Sequence, residues 1–528
     1  MKVLVSDSLS EQGITILEKG GLSVDIKTKL TPTELIEQIG QYDGLIIRSG
    51  TKVTKEVIAA ATNLKVIGRA GSGLDNVDLP AATKRGIVVM NTPGGNTITT
   101  AEHTFALIFS MARQTPQANA SVKSGKWEKN KFMGVELFDK TLGIIGLGQI
   151  GSWVARLALG AGMKVIAFDA YLSTENGQKM GVELVDLATL YRRADMITLH
   201  TPMTPETKYL INAEAIAKMK DGVRIINCAR GGIVDEAALL AALTSGKVAA
   251  SASDVFEKEP VDPNHPLLKL DNFISTPHLG AATLEAQENV ALAISEQVVD
   301  YLVRNVVRYA VNLPSVSPDL IPKVAPYVLL AEKIGSFIGQ TVEGGIESVQ
   351  IEYHGEVTAT DIPRTPMTVA ALKGLLSPIL QETVNSVNAP SIAKERGINV
   401  TETKSSEAGN FASLLTMRVT TSSGIKTVSG AIFHKTEPRF VEINGVALEI
   451  IPEGHMLYIH NDDKPGVIGD LGQLLAKNQI NISRMQLGRE RSGGLAISVV
   501  GVDVAITEQI LKDIRTIPHV LSVRPVQL

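Results

Sequence analysis

The chain of 528 residues contains a single cysteine and two tryptophans, and only 4% of it is aromatic. One thiol, Cys228, excludes an internal disulfide and leaves a structural zinc site short of ligands, which suits a reducing compartment. Charge of one sign is lacking as well: 51 basic residues stand against 55 acidic ones. With no basic block to neutralise a phosphate backbone, nucleic acid is not an expected partner. No apolar run approaches the ~18 residues needed to span a bilayer. The opening Met1-Lys2-Val3-Leu4-Val5-Ser6-Asp7 puts an acid where a signal peptide would continue its apolar stretch. A soluble, unprocessed, cytoplasmic chain without a membrane partner is expected, and nothing in these residues suggests a metal.

The most telling stretch that is present runs from Thr141 to Asp169 and reads strand, glycine turn, helix, strand, carboxylate. In Gly146-Leu147-Gly148-Gln149-Ile150-Gly151 the first glycine permits the bend and the second admits a pyrophosphate to the backbone. The third lets helix and strand pack closely. The helix that follows carries Trp153, Val154, Leu157, Ala158 and Ala161 on its apolar side and aims its N-terminus at the phosphates. Asp169 falls close to the ~20-residue spacing of a ribose-binding acid, and an acid there repels a 2′-phosphate. The pattern predicts a dinucleotide site favouring NAD over NADP.

At ~100–200 residues per domain the length predicts three or four cores. Residues 1–97 alternate short β-branched runs with helical patterns, as a parallel α/β unit does. The nucleotide domain is expected over 98–281, inserted into that first unit, which regains a last helix within 282–310. The proline-containing run 311–326, including Pro314, Pro318, Pro322 and Pro326, reads as a linker that cannot continue a helix. Residues 327–452 suggest an α+β domain with no catalytic cluster, with helices over 328–340 and 368–382. Residues 453–528 read βαββαβ, the ferredoxin-like order.

Oxidising an alcohol with NAD requires a base for the hydroxyl proton and a cation for the oxygen and its neighbouring carboxylate. Strand ends after the glycine turn offer Arg230, Asp254, Glu259 and His278, where ligands of open α/β sheets bind. A guanidinium fork suits a bidentate grip on a carboxylate. An imidazole shuttles a proton near neutral pH, and Glu259 is the expected carboxylate partner that orients it. The competing reading of spacing alone makes Arg230 and Glu259 surface residues and His278 a helix cap.

The glycine turn, Cys228-Ala229-Arg230-Gly231-Gly232, Asp254-Val255-Phe256 with Glu259, and Pro277-His278-Leu279-Gly280 together closely resemble the D-specific 2-hydroxyacid dehydrogenases. The resemblance implies a Rossmann-type nucleotide domain inserted in a flavodoxin-like substrate domain. It implies Arg230, Glu259 and His278 as the catalytic set and Asp254 as a contact of the nicotinamide carboxamide. The cofactor site it implies also takes in Gln149, Ile150, Thr201, Cys228, Ala229, Arg230, His278, Gly280 and Ala281.

The length, the terminal domain and Arg69-Ala70-Gly71-Ser72-Gly73-Leu74-Asp75-Asn76-Val77-Asp78 resemble the long branch of that family, whose substrate is D-3-phosphoglycerate. Oxidation to 3-phosphohydroxypyruvate, the first step toward L-serine, is then expected. Ser72 and Gly73 would offer backbone donors to the carboxylate, while Arg48 and Arg69, with Lys52 a weaker candidate, would face the phosphate unless solvated or paired with acids. The terminal domain resembles an ACT module, with Asn461 and Asp463 before the first helix and Asn481 after it. These imply L-serine as effector across a paired interface, hence a homo-oligomer, dimer or tetramer; as bare residues they could also be turn formers. The middle domain resembles an allosteric substrate-binding domain.

His103 and His200 are expected only to settle local hydrogen bonds, Cys228 to be a buried small hydrophobe, and Trp127 and Trp153 to pack. Two alternatives compete with the main expectation: a glyoxylate or hydroxypyruvate reductase, and a non-catalytic regulator sensing NADH and serine.

Overall fold

A computed structural model describes residues 1–304, 306–314, 316, 318–380 and 383–528. Asn305, in the expected last helix of the first unit, Ser315 and Ser317 of the expected linker, and Gln381 and Glu382 at the end of the expected 368–382 helix lie outside the described residues.

The first sheet is all parallel, with the strands Ser23–Ile26, Lys2–Val5, Gly44–Ile47, Val66–Arg69 and Val88–Met90 side by side in that order. Numbered along the chain this is 2-1-3-4-5, the flavodoxin-like order. Val3, Leu4, Val5, Leu45 and Ile47 are fully buried because helices cover both faces, as parallel sheets require. One covering helix, Leu284–Arg304, comes from beyond the nucleotide domain; it packs along Glu11–Lys19 and across the strand Val66–Arg69, returning the chain to its first unit.

The second sheet has seven parallel strands in the order Phe273–Ser275, Val248–Ser253, Val223–Asn227, Met196–Leu199, Thr141–Ile145, Lys164–Phe168, Glu183–Leu184. Strand order reverses between Thr141–Ile145 and Met196–Leu199, and that switch point opens a crevice at the strands' carboxyl ends. The helix Thr97–Arg113 leads from the first sheet into this domain and buries Ala101, Ile108 and Met111.

A third, six-stranded sheet carries the helices Ile321–Thr341 and Thr365–Leu376, and a fourth sheet of four antiparallel strands carries Val467–Lys477 and Glu508–Arg515. In the fourth the strands stand 2-3-1-4 with helices on one face. Its other face, through Met456, Tyr458, Ile497, Val499 and Val526, continues the core of the third sheet, so these two domains are packed as one body.

Two expectations need correction, and one strand had no sequence signal. The proline-rich linker stops short of 321: Pro322 lies in the first turn of the helix Ile321–Thr341 and Pro326 within it. A proline in a first turn removes an N–H that has no helical partner, and the single bond lost at Pro326 is offset by burial of Leu330, Ala331, Ile334 and Phe337. In the third sheet, Asn399–Ser405 escaped notice because its sequence NVTETKS is polar; it is an edge strand with mostly exposed side chains. Trp127, expected to pack, is 86% exposed in a segment without regular structure.

Candidate active site

The glycine turn has the shape its chemistry needs. Gly146 sits at φ +92°, and a Cβ there would lie 2.6 Å from the carbonyl oxygen of His200. A Cβ on Gly151 would lie 2.1 Å from the carbonyl of Gly146, whereas one on Gly148 would meet nothing within 4 Å. That open space lies at the start of the helix Gln149–Gly160, whose N-terminus has no side-chain cap. Free N–H groups beside an open glycine form an anion cradle, and a pyrophosphate fits it. Asp169 stands at the rim, its Oδ2 accepting the Leu147 N–H at 2.8 Å and its Oδ1 those of Tyr171 and Leu172 at 2.9 and 3.1 Å. Gln149 accepts from the Thr97 hydroxyl at 3.1 Å.

Between the first and second sheets lies a cleft of about 890 Å³. Arg48, Arg69, Ser72 and Gly73 line it from the first domain. Ile150, Thr201, Cys228, Ala229, Arg230, Asp254, Glu259, His278, Gly280 and Ala281 line it from the second. Gly146, Gly148, Gln149, Gly151 and Asp169 lie outside this wall, at the glycine turn.

His278 and Glu259 meet through Nδ1 and Oε2 at 2.7 Å, and the Phe256 N–H holds the other carboxylate oxygen at 3.0 Å. Nδ1 is therefore the donor and Nε2 the nitrogen free to take a proton. The bond to Glu259 raises the His278 pKa above the ordinary histidine value, against the opposing effect of burial. Burial pushes Glu259 upward, but the bonds from His278 and Phe256 outweigh it and leave the carboxyl below its usual range.

Asp254 is 1% exposed. Its Oδ1 accepts from Leu279 N–H at 2.7 Å, from the Thr276 hydroxyl and from His103 at 3.2 Å; its Oδ2 accepts from Gly280 N–H at 2.8 Å. Burial pushes this carboxyl up, and the bonds from His103, Thr276 and Leu279 bring it below the usual value. Oδ1 is spent within the protein, while Oδ2 keeps one lone pair for a ligand.

Arg230 Nε donates to Asp75 at 3.0 Å and its Nη1 to the carbonyl of Ala229 at 2.7 Å. The loop of Gly73 closes so tightly on Nη2 that a Cβ on Gly73 would lie 2.3 Å from it. Arg69 is half-buried, and its Nε is buried with no hydrogen-bond partner among the described residues. Its pKa is lowered by burial and then by the positive charge of Arg230, with Arg48 adding to the repulsion. Arg48 Nη1 makes a 3.4 Å bond to Ser8, and neither it nor Arg69 forms a salt bridge among the described residues. Lys52 is exposed and outside the cleft wall. Three guanidinium groups thus converge on one cleft and, among the described residues, a single acid, Asp75, is bound to them.

The remaining residues fall as follows. The Ser72 hydroxyl donates to Asn96 at 2.8 Å. Cys228 is buried and its thiol pushed up to about 12 by burial, so it is no nucleophile at neutral pH. His200 bonds Thr198 at 3.0 Å and burial pushes it down to about 3, keeping it neutral. The hydroxyl of Thr201, also on the cleft wall, is buried without a partner among the described residues.

In the terminal domain Asn461 is buried and accepts from Ser498 at 3.1 Å, Asp463 receives Arg489 at 2.8 Å and the Gly493 N–H at 3.0 Å, and Asn481 donates to Asp503 at 3.0 Å. Strand register sets Ile482 level with Val502 and His455, but Arg489 level with Ala496 and Asn461. Asn481 thus lies at the opposite end of the sheet from Asn461 and Asp463, and one chain does not bring them together.

Sequence reasoning missed Asp75, Asn96 and Thr100. Asp75 carried no periodic signal. Thr100, whose hydroxyl donates to the Gly280 carbonyl at 2.7 Å, could have been found from its three-residue spacing to Thr97 and His103 on one helix face.

Residues 105–280 match the NAD-binding domain of the D-isomer-specific 2-hydroxyacid dehydrogenases, 323–444 the D-3-phosphoglycerate dehydrogenase intervening domain and 455–519 the ACT domain. Fold and cleft together define an NAD-dependent D-2-hydroxyacid dehydrogenase. The chain is 45% identical to D-3-phosphoglycerate dehydrogenase of Synechocystis over 100% of its length and 95% of the relative's. It is 45% identical to that of Archaeoglobus fulgidus over the full length of both. With the enzyme of Bacillus subtilis it shares 44% over all of this chain and 99% of that one. The chain belongs to the D-3-phosphoglycerate dehydrogenase family. Among solved structures, the TT0316 protein of Thermus thermophilus is 36% identical, with a TM-score of 0.55 over 59% of this chain and 100% of its own. A glyoxylate reductase from Paecilomyes thermophila is 30% identical, with the same TM-score over 59% and 98%.

Proposed function

We propose that this enzyme oxidises D-3-phosphoglycerate to 3-phosphohydroxypyruvate with NAD, the first step toward L-serine. The observation that carries the choice of substrate is the convergence of Arg48, Arg69 and Arg230 on one cleft, with the Nε of the half-buried Arg69 out of solvent and unpaired among the described residues. Like charges are held together in a partly buried site only when an anion offsets them, and a substrate with a carboxylate at one end and a phosphate at the other offers two. A glyoxylate-sized substrate leaves Arg48 and Arg69 without a counter-charge.

NAD, when bound, supplies the hydride acceptor. Gly148 and the helix start Gln149–Ile150 would hold its phosphates, Asp169 its ribose hydroxyls and Asp254 its carboxamide. Arg230 grips the substrate carboxylate and the reacting oxygen, and the backbone N–H groups of Ser72 and Gly73 share the carboxylate. His278 takes the hydroxyl proton on Nε2 while Glu259 stabilises the resulting imidazolium. Asp75, bonded to Arg230 Nε at 3.0 Å, leaves Nη2 as the guanidinium's free end among the described residues.

Arg69→Ala is expected to lower kcat/KM for D-3-phosphoglycerate by about 10- to 100-fold, the worth of a charge-assisted bond, and to change that for unphosphorylated hydroxypyruvate by no more than about threefold. Rates on the two substrates in wild type and variant check this. Equal losses on both would move the phosphate site elsewhere.

L-serine is the proposed effector, bound between terminal domains of two copies, where Asn481 of one would meet Asn461 and Asp463 of the other. Their separation within one chain supports that reading. Exposed Ile98, Phe109, Val122, Trp127, Met133 and Phe138 supply an apolar surface for a homo-oligomer through the nucleotide domain. No helix among the described residues is long and apolar enough to cross a membrane. The single free cysteine, Cys228, supports a reducing, cytoplasmic setting. Sedimentation above the 56.3 kDa chain mass and a serine-dependent fall in rate are the expected results. A monomer, or a rate indifferent to saturating serine, contradicts this part.

A further inference from the structure

One face of the helix Thr97–Arg113 presents Thr97, Thr100 and His103 at intervals of three, and each touches a different part of the site. Thr97 bonds Gln149 at the glycine turn, Thr100 bonds the Gly280 carbonyl, and His103 Nε2 reaches Asp254 Oδ1 at 3.2 Å and Thr276 Oγ1 at 3.1 Å. The Thr276 hydroxyl spends its proton on Asp254, and a carboxylate only accepts, so His103 must carry a proton on Nε2 and donate it between the two oxygens. Asp254 in turn holds the N–H groups of Leu279 and Gly280, the two residues directly after His278, while its own carbonyl accepts the His278 N–H at 2.9 Å. A carboxylate this buried has no water to replace a donor it loses.

We propose that His103 is a positioning residue for the hydroxyacid reaction: it fixes Asp254, and through Asp254 the loop that presents the His278 imidazole. The link to catalysis rests on His278 being the proton acceptor, whereas the hold on the loop stands on the hydrogen bonds alone. Sequence spacing gives His103 no such role, since Asp254 lies 151 positions away.

Two variants of the full chain test it. His103→Phe keeps a ring but removes the donor; His103→Gln restores an N–H. For His103→Phe, kcat is expected to fall about tenfold, the worth of one bond to a buried charge, with KM for the hydroxy acid within about twofold and the melting temperature near that of wild type. His103→Gln should recover to within about threefold of wild type. Hydrogen exchange of the peptide covering 276–283 should be about tenfold faster in His103→Phe and near normal in His103→Gln. An unchanged kcat in His103→Phe, equal losses in both variants, or loss of activity only in step with melting temperature overturns the proposal. So does unchanged exchange. If wild type turned over no hydroxy acid, the functional reading would fall, and the exchange data alone would still judge the hold of His103 on the loop.

Discussion

His278→Ala is expected to reduce kcat by ~10²- to 10⁴-fold, the usual contribution of a positioned general base, while NADH still binds. The substitution removes the cleft imidazole whose Nδ1 is bonded to the Glu259 carboxylate, which leaves its Nε2 for the substrate. Glu259→Gln is the milder companion. Because the bond to Glu259 is the main cause of the raised His278 pKa, the amide should let that pKa fall. Oxidation needs neutral His278, so activity rises as pH climbs through its pKa; in Glu259→Gln that rising limb should move to lower pH, with a smaller maximal rate. Rate against pH for the wild type and both variants checks the assignment. A limb that stays in place, or moves to higher pH, removes Glu259 as the partner.

The second large effect is expected at Arg230. Arg230→Ala removes a guanidinium already aligned by Asp75 and the Ala229 carbonyl and closed over by the loop of Gly73. Losing a charge-assisted, two-pronged contact to the substrate carboxylate typically costs ~1.5–3 kcal/mol per bond, so kcat/KM should fall by about 10²-fold or more, with kcat and KM both affected. Arg230→Lys should recover little, since an ammonium cannot reproduce a planar two-pronged grip. Steady-state rates across substrate concentration decide the matter. Full activity in Arg230→Lys would mean that only a point charge is needed there, and the bidentate role would be withdrawn.

The two sites differ in how much of them could be read from sequence. The dinucleotide cradle is local: turn, helix start and acid lie within 24 residues, Gly146 to Asp169, and each has a backbone reason for its identity. Arg230, Glu259 and His278 are legible because parallel strands deliver residues at their carboxyl ends to one edge, so strand ends far apart in sequence share a crevice. Asp75 and Asn96 were not legible, because nothing in a loop sequence says that it folds across 155 residues to meet Arg230, or that it steadies the Ser72 hydroxyl. His103 was read as a helix residue bonding locally; its partner is the most buried carboxylate of the cleft. The proline-rich stretch misled in the opposite sense, since Pro322 begins a helix that burial then carries through Pro326. In the terminal domain Asn461 is a buried strand residue and Asp463 and Asn481 lie outside regular structure at opposite ends of the sheet, so any shared ligand requires a second copy that no single sequence displays.

His278, paired with Glu259, and Arg230 line one cleft, and the proposed chemistry has His278 take the proton of an anionic hydroxy acid that Arg230 grips. The most direct test follows the absorbance of reduced cofactor when purified chain is mixed with NAD and D-3-phosphoglycerate, for wild type and His278→Ala side by side. NADH should accumulate with the wild type and be nearly absent with the variant. NADH forming equally fast in both, or in neither, would contradict the account.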